Sequence, residues 1–247
     1  MKIFKRILLG LLIVAVIGTL GFVVWAETPL GPAPEALQAL QSDAQVTVTE
    51  KSGLIVFQPA NMNLADIKTG YIFYPGGRVD ARSYAVPLRQ IAEQGYLVVL
   101  LPVRLNLAFF DVNAADRAFS AYPDIQHWAL GGHSLGGVAA ALYASKHTGL
   151  DGLVFWASYP ADETLKNTTM KVVSIYGTND MGGMEQFDKS RALLPADTIW
   201  SIIEGGNHGQ FGDYGLQPGD KVATISRADQ QKQIVDATVK FLESLGK

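Results

Sequence analysis

The chain has 247 residues, a formal net charge of −3 and no cysteine. Disulfides, thiolate metal sites, cysteine nucleophiles and lipidated cysteines are therefore excluded, and the scattered lysines and arginines leave no basic footprint for nucleic acid. Once an apolar N-terminal run is set aside, about 220 residues remain, the length of a single α/β domain.

Lys2, Lys5 and Arg6 precede an uncharged apolar run from Ile7 to about Ala26, close to the roughly 20 residues that cross a bilayer core. The cationic residues keep the N-terminus in the cytoplasm and send the rest of the chain across. Residues 1–26 are therefore expected to be a retained membrane anchor with the domain outside the cytoplasm. Val24-Trp25-Ala26 also offers a cleavage site, which would make the protein exported, although the run exceeds the roughly 7–15 apolar residues of a usual signal peptide. Residues 27–45 read as a proline-rich connector, which cannot continue the membrane helix, followed by a short helix near 35–40.

From residue 46 to 247 the apolar runs come at α/β spacing. Strands are expected at 46–48, 54–57, 71–74, 97–101, 128–130, 153–156, 172–176 and 198–203, the later ones continuous in apolar character as strands covered on both faces should be. Helical patterns fall at 81–93, 113–122, 138–146, 185–194 and 229–245. Two strands followed by strand and helix in turn predict a mostly parallel sheet of about eight strands with helices on both faces.

Within that order Gly132-His133-Ser134-Leu135-Gly136 lies where an apolar strand ends and a small-residue helix begins. The glycines allow a sharp strand-to-helix turn that presents Ser134 in a strained, exposed conformation, as a nucleophile requires. A serine hydroxyl needs a base, and the base works best with a carboxylate that holds its tautomer. Of the four histidines only His208, in Gly205-Gly206-Asn207-His208-Gly209, is both downstream of the serine and just beyond a late strand. Asp180, in Tyr176-Gly177-Thr178-Asn179-Asp180, ends the preceding strand, where open α/β sheets place their chemistry. Asp162, Asp188 and Asp213 are its competitors. Backbone N–H donors for an oxyanion are expected from Leu135 and from the Tyr74-Pro75-Gly76-Gly77-Arg78 turn, with Gly77 or Arg78 as the second donor.

These residues make the chain resemble the α/β-hydrolase superfamily over about 47–245, and within it the compact single-domain hydrolases related to dienelactone hydrolase and small carboxylesterases. The order Ser134, Asp180, His208 is the superfamily's order of nucleophile, acid and histidine. Dienelactone hydrolases themselves use cysteine and dehalogenases use aspartate, so serine here implies hydrolysis of acyl esters without cofactor or metal. Only about a dozen residues (158–170) occupy the place where many relatives insert a helical lid, which implies a minimal lid or none, and a shallow site.

The long segment 209–220 reads as functional or disordered. Phe211 and Tyr214 are candidates to line a substrate pocket beside His208, or to pack the loop on itself. Arg78, Arg82 and Arg104 either meet an anionic substrate or are solvated surface residues. The expected partners are a small-molecule ester and, through residues 1–26, a membrane; no nucleic acid is expected, and the oligomeric state is open. Two rival readings keep the scaffold: an acyltransferase using the same triad, and a non-catalytic binding ectodomain.

Overall fold

The computed structural model describes residues 2–246. Eight strands form one sheet: β1 (Val46–Lys51), β2 (Leu54–Pro59), β3 (Thr69–Tyr74), β4 (Leu97–Leu100), β5 (His127–His133), β6 (Gly152–Trp156), β7 (Lys171–Gly177) and β8 (Ile199–Ile203). Their order is β1-β2-β4-β3-β5-β6-β7-β8. β1 and β2 are antiparallel to each other, β2 is antiparallel to β4, and β4 through β8 run parallel.

The continuous apolar character of the inner strands has a direct cause. Val154 and Trp156 of β6, with Val173 and Ile175 of β7, point into one core, whereas Leu153 and Phe155 of β6, with Val172 of β7, point into the other. Both faces are dry, so successive side chains are apolar although they point opposite ways.

The first core is covered by α3 (Ala85–Ala92) and α7 (Arg227–Leu242), with α2 (Pro34–Ala39) against α3. The second is covered by α4 (Asp116–Ala121) and by α5 (Leu135–Ala144). α3 and α4 are each preceded by a 3-10 turn, at Ala81–Tyr84 and Val112–Ala115, so the expected 81–93 and 113–122 helices are split. Pro87 lies in the first turn of α3, where its missing N–H breaks no helical bond. α6 (Met184–Ser190) follows β7.

α1 spans Lys2–Ala26, and its Phe4–Ala26 portion is long and apolar enough to cross a membrane, with none of its most apolar stretch buried in the rest of the protein. The connector after it is not a free tether. Leu30 makes a parallel bridge with Val79, its N–H donates to Arg78 O at 2.8 Å, and the Ala33 N–H donates to Asp213 O. The prolines keep this segment extended, and Leu30 O also accepts from the Asp80 N–H at 3.0 Å.

Candidate active site

The parallel strands β3, β5, β6 and β7 end on one edge of the sheet, and the turns that follow them build the site. After β5 the chain passes through Ser134 at φ 52, ψ −122 and enters α5 directly. A positive φ at a residue with a side chain is strained, and surrounding contacts hold it: Ser134 N–H donates to Trp156 O at 3.0 Å, and Ser134 O accepts from Ser158 Oγ at 2.6 Å. The flanking glycines are required by close approach. A Cβ at Gly136 would lie 2.3 Å from Tyr74 O, and one at Gly132 would lie 2.5 Å from the Gly136 carbonyl carbon.

After β7, the acid turn and the histidine loop are joined backbone to backbone. Asn179 N–H donates to Gly206 O at 2.8 Å and Thr178 N–H to Ile203 O at 3.0 Å. A Cβ at Gly177 would sit 2.1 Å from Gly206 O, so this seam closes only with glycine. It brings Asp180 Oδ2 to 2.8 Å from His208 Nδ1, while Asp180 Oδ1 accepts from Gly182 N–H at 2.8 Å. Both side chains are buried. His208 Nε2 is also buried and, among the described residues, has no hydrogen-bond partner.

Ser134, Asp180 and His208 line one cavity of about 270 Å³, walled by Leu135, Val138, Tyr159, Met181 and Phe187. Between β6 and β7 there is only one short 3-10 turn, Glu163–Leu165, so no helical cap covers the opening.

The competing acids are occupied elsewhere. Asp162 caps the Glu163–Leu165 turn, Asp188 pairs with Arg191 on α6, and Asp213 accepts from Gln231 Nε2 and Arg227 Nη1. The candidate N–H donors, Leu135, Gly77 and Arg78, differ in the bonds around them. Arg78 N–H donates to Asn106 O at 2.8 Å and is not available. Among the described residues, neither Gly77 N–H nor Leu135 N–H has a protein partner, and a Cβ at Gly77 would lie 2.9 Å from Leu135 Cδ2. The arginines are likewise assigned: Arg78 binds the end of α1, Arg82 pairs with Asp80, and Arg104 is exposed.

Phe211 and Tyr214 do not line the cavity, which corrects the expectation for them. Phe211 is fully buried and stacks on His133 with ring centroids 5.4 Å apart. Tyr214 is buried against Tyr84 and donates to Gln217 Oε1. Their loop is pulled inward because its polar groups are paired: the Asp220 carboxylate accepts from His208 N–H and Gly209 N–H, and Gln230 bonds both the N–H and the C=O of Asn207. The segment is thus a brace for His208. The real cavity walls, Tyr159 and Met181, follow β6 and β7 directly, and the rule that ligands lie beyond the carboxyl ends of strands points to them.

A second network lies beneath the serine. Gly76 N–H donates to Tyr84 Oη at 3.0 Å, and Tyr84 Oη lies 2.8 Å from His133 Nδ1. Burial raises the Tyr84 phenol's pKa, so it stays protonated and donates to His133. Burial first, and then the neighbouring His208, push the His133 pKa well below 6.5. His133 is therefore neutral, with its ring 4.4 Å from that of His208. The chain Gly76–Tyr84–His133 ties the turn that holds Gly77 to the strand that delivers Ser134.

Comparison with known proteins agrees with this fold. Residues 70–232, more than half the chain, match a family model described as "Alpha/beta hydrolase family". Among solved structures, a putative dienelactone hydrolase from Klebsiella pneumoniae superposes with a TM-score of 0.62 at 13% identity, over 81% of this chain and 99% of that one. A thermophilic esterase from Thermogutta terrifontis with butyrate bound gives 0.58 at 16% identity, over 82% and 94%. The Thermogutta esterase 2 phosphoramylated by tabun gives 0.57 at 14%, over 84% and 98%. At these identities the likeness is one of fold. No curated protein sequence matches the chain.

Proposed function

Because the chain belongs to the alpha/beta hydrolase family, we propose that it is a serine carboxylesterase, held at a membrane by α1, that cleaves short acyl esters through Ser134, His208 and Asp180. One observation carries the reading. His208 has Nδ1 engaged by Asp180 at 2.8 Å, while Nε2 is buried, unpartnered and part of a residue that lines the same cavity as Ser134. That is a base held in one tautomer with its lone pair kept free for a proton.

Ser134 Oγ attacks the ester carbonyl carbon as its proton passes to His208 Nε2. The Leu135 and Gly77 N–H groups receive the oxyanion, and Asp180 stabilises the imidazolium. Collapse breaks the bond to the alcohol, which leaves with the His208 proton. Water, deprotonated by His208, then attacks the acyl-enzyme, and the acid is released as Ser134 recovers its proton. His133 serves this cycle by being neutral: a second positive ring 4.4 Å from His208 would oppose the imidazolium. Leu135, Val138, Met181 and Phe187 form the acyl wall. The cavity volume, about 270 Å³, lies below the range that takes drug-sized ligands, which favours short acyl chains.

The test is hydrolysis of p-nitrophenyl acetate, butyrate and octanoate by the intact chain in detergent. Turnover is expected to favour acetate and butyrate and to fall about 10⁴-fold or more in Ser134→Ala. Equal turnover by the variant rejects the assignment.

A further inference from the structure

Resting on the reading of Phe4–Ala26 as a membrane anchor, we infer that the 3-10 turn Ala108–Phe110 is a second membrane contact, which seats the domain on the bilayer with its oxyanion turn at the lipid surface. The first support is how α1 meets the domain. Its C-terminal end meets the domain at the 3-10 turn Arg104–Asn106 and through Phe22 against Phe110, while the rest of the helix projects away with its apolar surface open. The bilayer must lie along that projection, so whatever surrounds the helix exit faces lipid.

The second support is that the exit is clamped rather than hinged. Arg78 Nε donates to Trp25 O at 2.9 Å and Arg78 Nη2 to Thr28 O at 2.7 Å. Asn106 Nδ2 donates to Ala26 O at 3.1 Å, and the Arg78 guanidinium lies 4.2 Å from the Trp25 ring centroid. The bonds to Trp25 O and Ala26 O satisfy carbonyls at the C-terminus of α1 that have no partner within the helix, and a cation belongs at that end of the dipole. Arg78 N–H also donates to Asn106 O, so the two clamping residues are tied to each other, and one of them follows Gly77 directly. The domain has no free linker about which to swing.

The third support is what stands beside the exit. Phe109 and Phe110 are 46% and 53% exposed, and Phe110 meets Phe22 of α1 with ring centroids 5.9 Å apart. The apolar surface of the anchor thus continues onto the domain. Exposed aromatics next to a membrane helix match the ring-rich belt at bilayer interfaces. Arg104 and Glu27, both exposed nearby, balance in charge, which leaves the aromatic pair as the attraction to lipid. An ester that partitions into the membrane surface would then meet the Gly77 turn without first dissolving.

The absence of native cysteine makes a clean test. Single variants Ile17→Cys, Phe109→Cys, Phe110→Cys and Thr148→Cys of the full chain are labelled with an environment-sensitive fluorophore and reconstituted in phosphatidylcholine vesicles containing nitroxide-labelled lipid. Thr148 lies beyond the C-terminus of α5 (Leu135–Ala144), a helix that leads away from the serine turn over roughly 15 Å at 1.5 Å per residue. Labels at Ile17, Phe109 and Phe110 are expected to be quenched at least twofold, and the label at Thr148 to be unchanged. Quenching at Ile17 with none at Phe109 or Phe110 overturns the seating while leaving the anchor intact. No quenching at Ile17 overturns both, and neither result bears on esterase activity. Phe109, Phe110 and Thr148 lie on exposed turns of the domain, so an unchanged circular-dichroism spectrum and urea midpoint check that each variant is folded.

Discussion

Tyr84→Phe removes one oxygen atom and no packing volume, yet it strands two buried groups. Gly76 N–H loses its acceptor at 3.0 Å, and His133 Nδ1 loses its donor at 2.8 Å; Tyr84 and His133 are both fully buried. Each stranded group costs about 1–3 kcal/mol, and His133 cannot recover by ionising because burial disfavours its charged form. A loss of about 2–6 kcal/mol follows, or roughly 4–24 °C in Tm for a domain of this size. Urea unfolding followed by tryptophan fluorescence should show a lower midpoint with an unchanged slope. The adjacent Gly77 N–H would also lose its fixed aim, so kcat is expected to fall about 10- to 100-fold, within the cost of impairing one oxyanion donor, with KM nearly constant. An unchanged midpoint together with an unchanged kcat would refute the network as the support of the oxyanion turn.

Other outcomes follow from the same contacts. Asp180→Asn keeps the shape of the His208 partner but favours the wrong tautomer, and kcat is expected to drop by about 10⁴ with little change in Tm. Phe211→Ala should cost about 3–5 kcal/mol of stability without altering the ratio of acetate to octanoate turnover, whereas Phe187→Ala, at the cavity wall, should shift that ratio toward octanoate. His133 is neutral in the folded protein with a pKa well below the ordinary 6.5, so the unfolded chain binds a proton there that the folded one refuses. Stability should therefore fall as pH drops below about 6.5, by up to about 1.4 kcal/mol per pH unit from this residue; a slope that does not flatten in His133→Gln would contradict that origin.

Strand positions were legible because dry, two-faced strands write unbroken apolar runs, as 153–156 and 172–176 do. The serine turn was legible because Gly132 and Gly136 are dictated by local backbone approach, and local constraints show in local sequence. His208 and Asp180 could be proposed from their place after late strands. What escaped is what depends on distant partners. Phe211 and Tyr214 looked like pocket residues because they sit near His208 in sequence, but Asp220 and Gln230 draw that loop inward, and neither pairing leaves a mark in a short window. Tyr84 lies 49 residues from His133, and nothing in either segment announces the other. Arg78 N–H is taken by Asn106 O, a bond invisible without coordinates, which leaves Gly77 as the candidate second donor. Residues 27–45 read as a proline-rich connector and short helix, and what the prolines do not show is that the extended part lies along the domain, as Leu30 does against Val79.

The most direct measurement is the site of covalent capture. The intact chain is treated with a fluorophosphonate, digested and analysed by mass spectrometry, alongside His208→Ala. A single adduct on Ser134, formed at least 10³-fold more slowly in the histidine variant, is the expected result. An adduct on another residue, or equal rates with and without His208, would contradict a serine activated by that histidine.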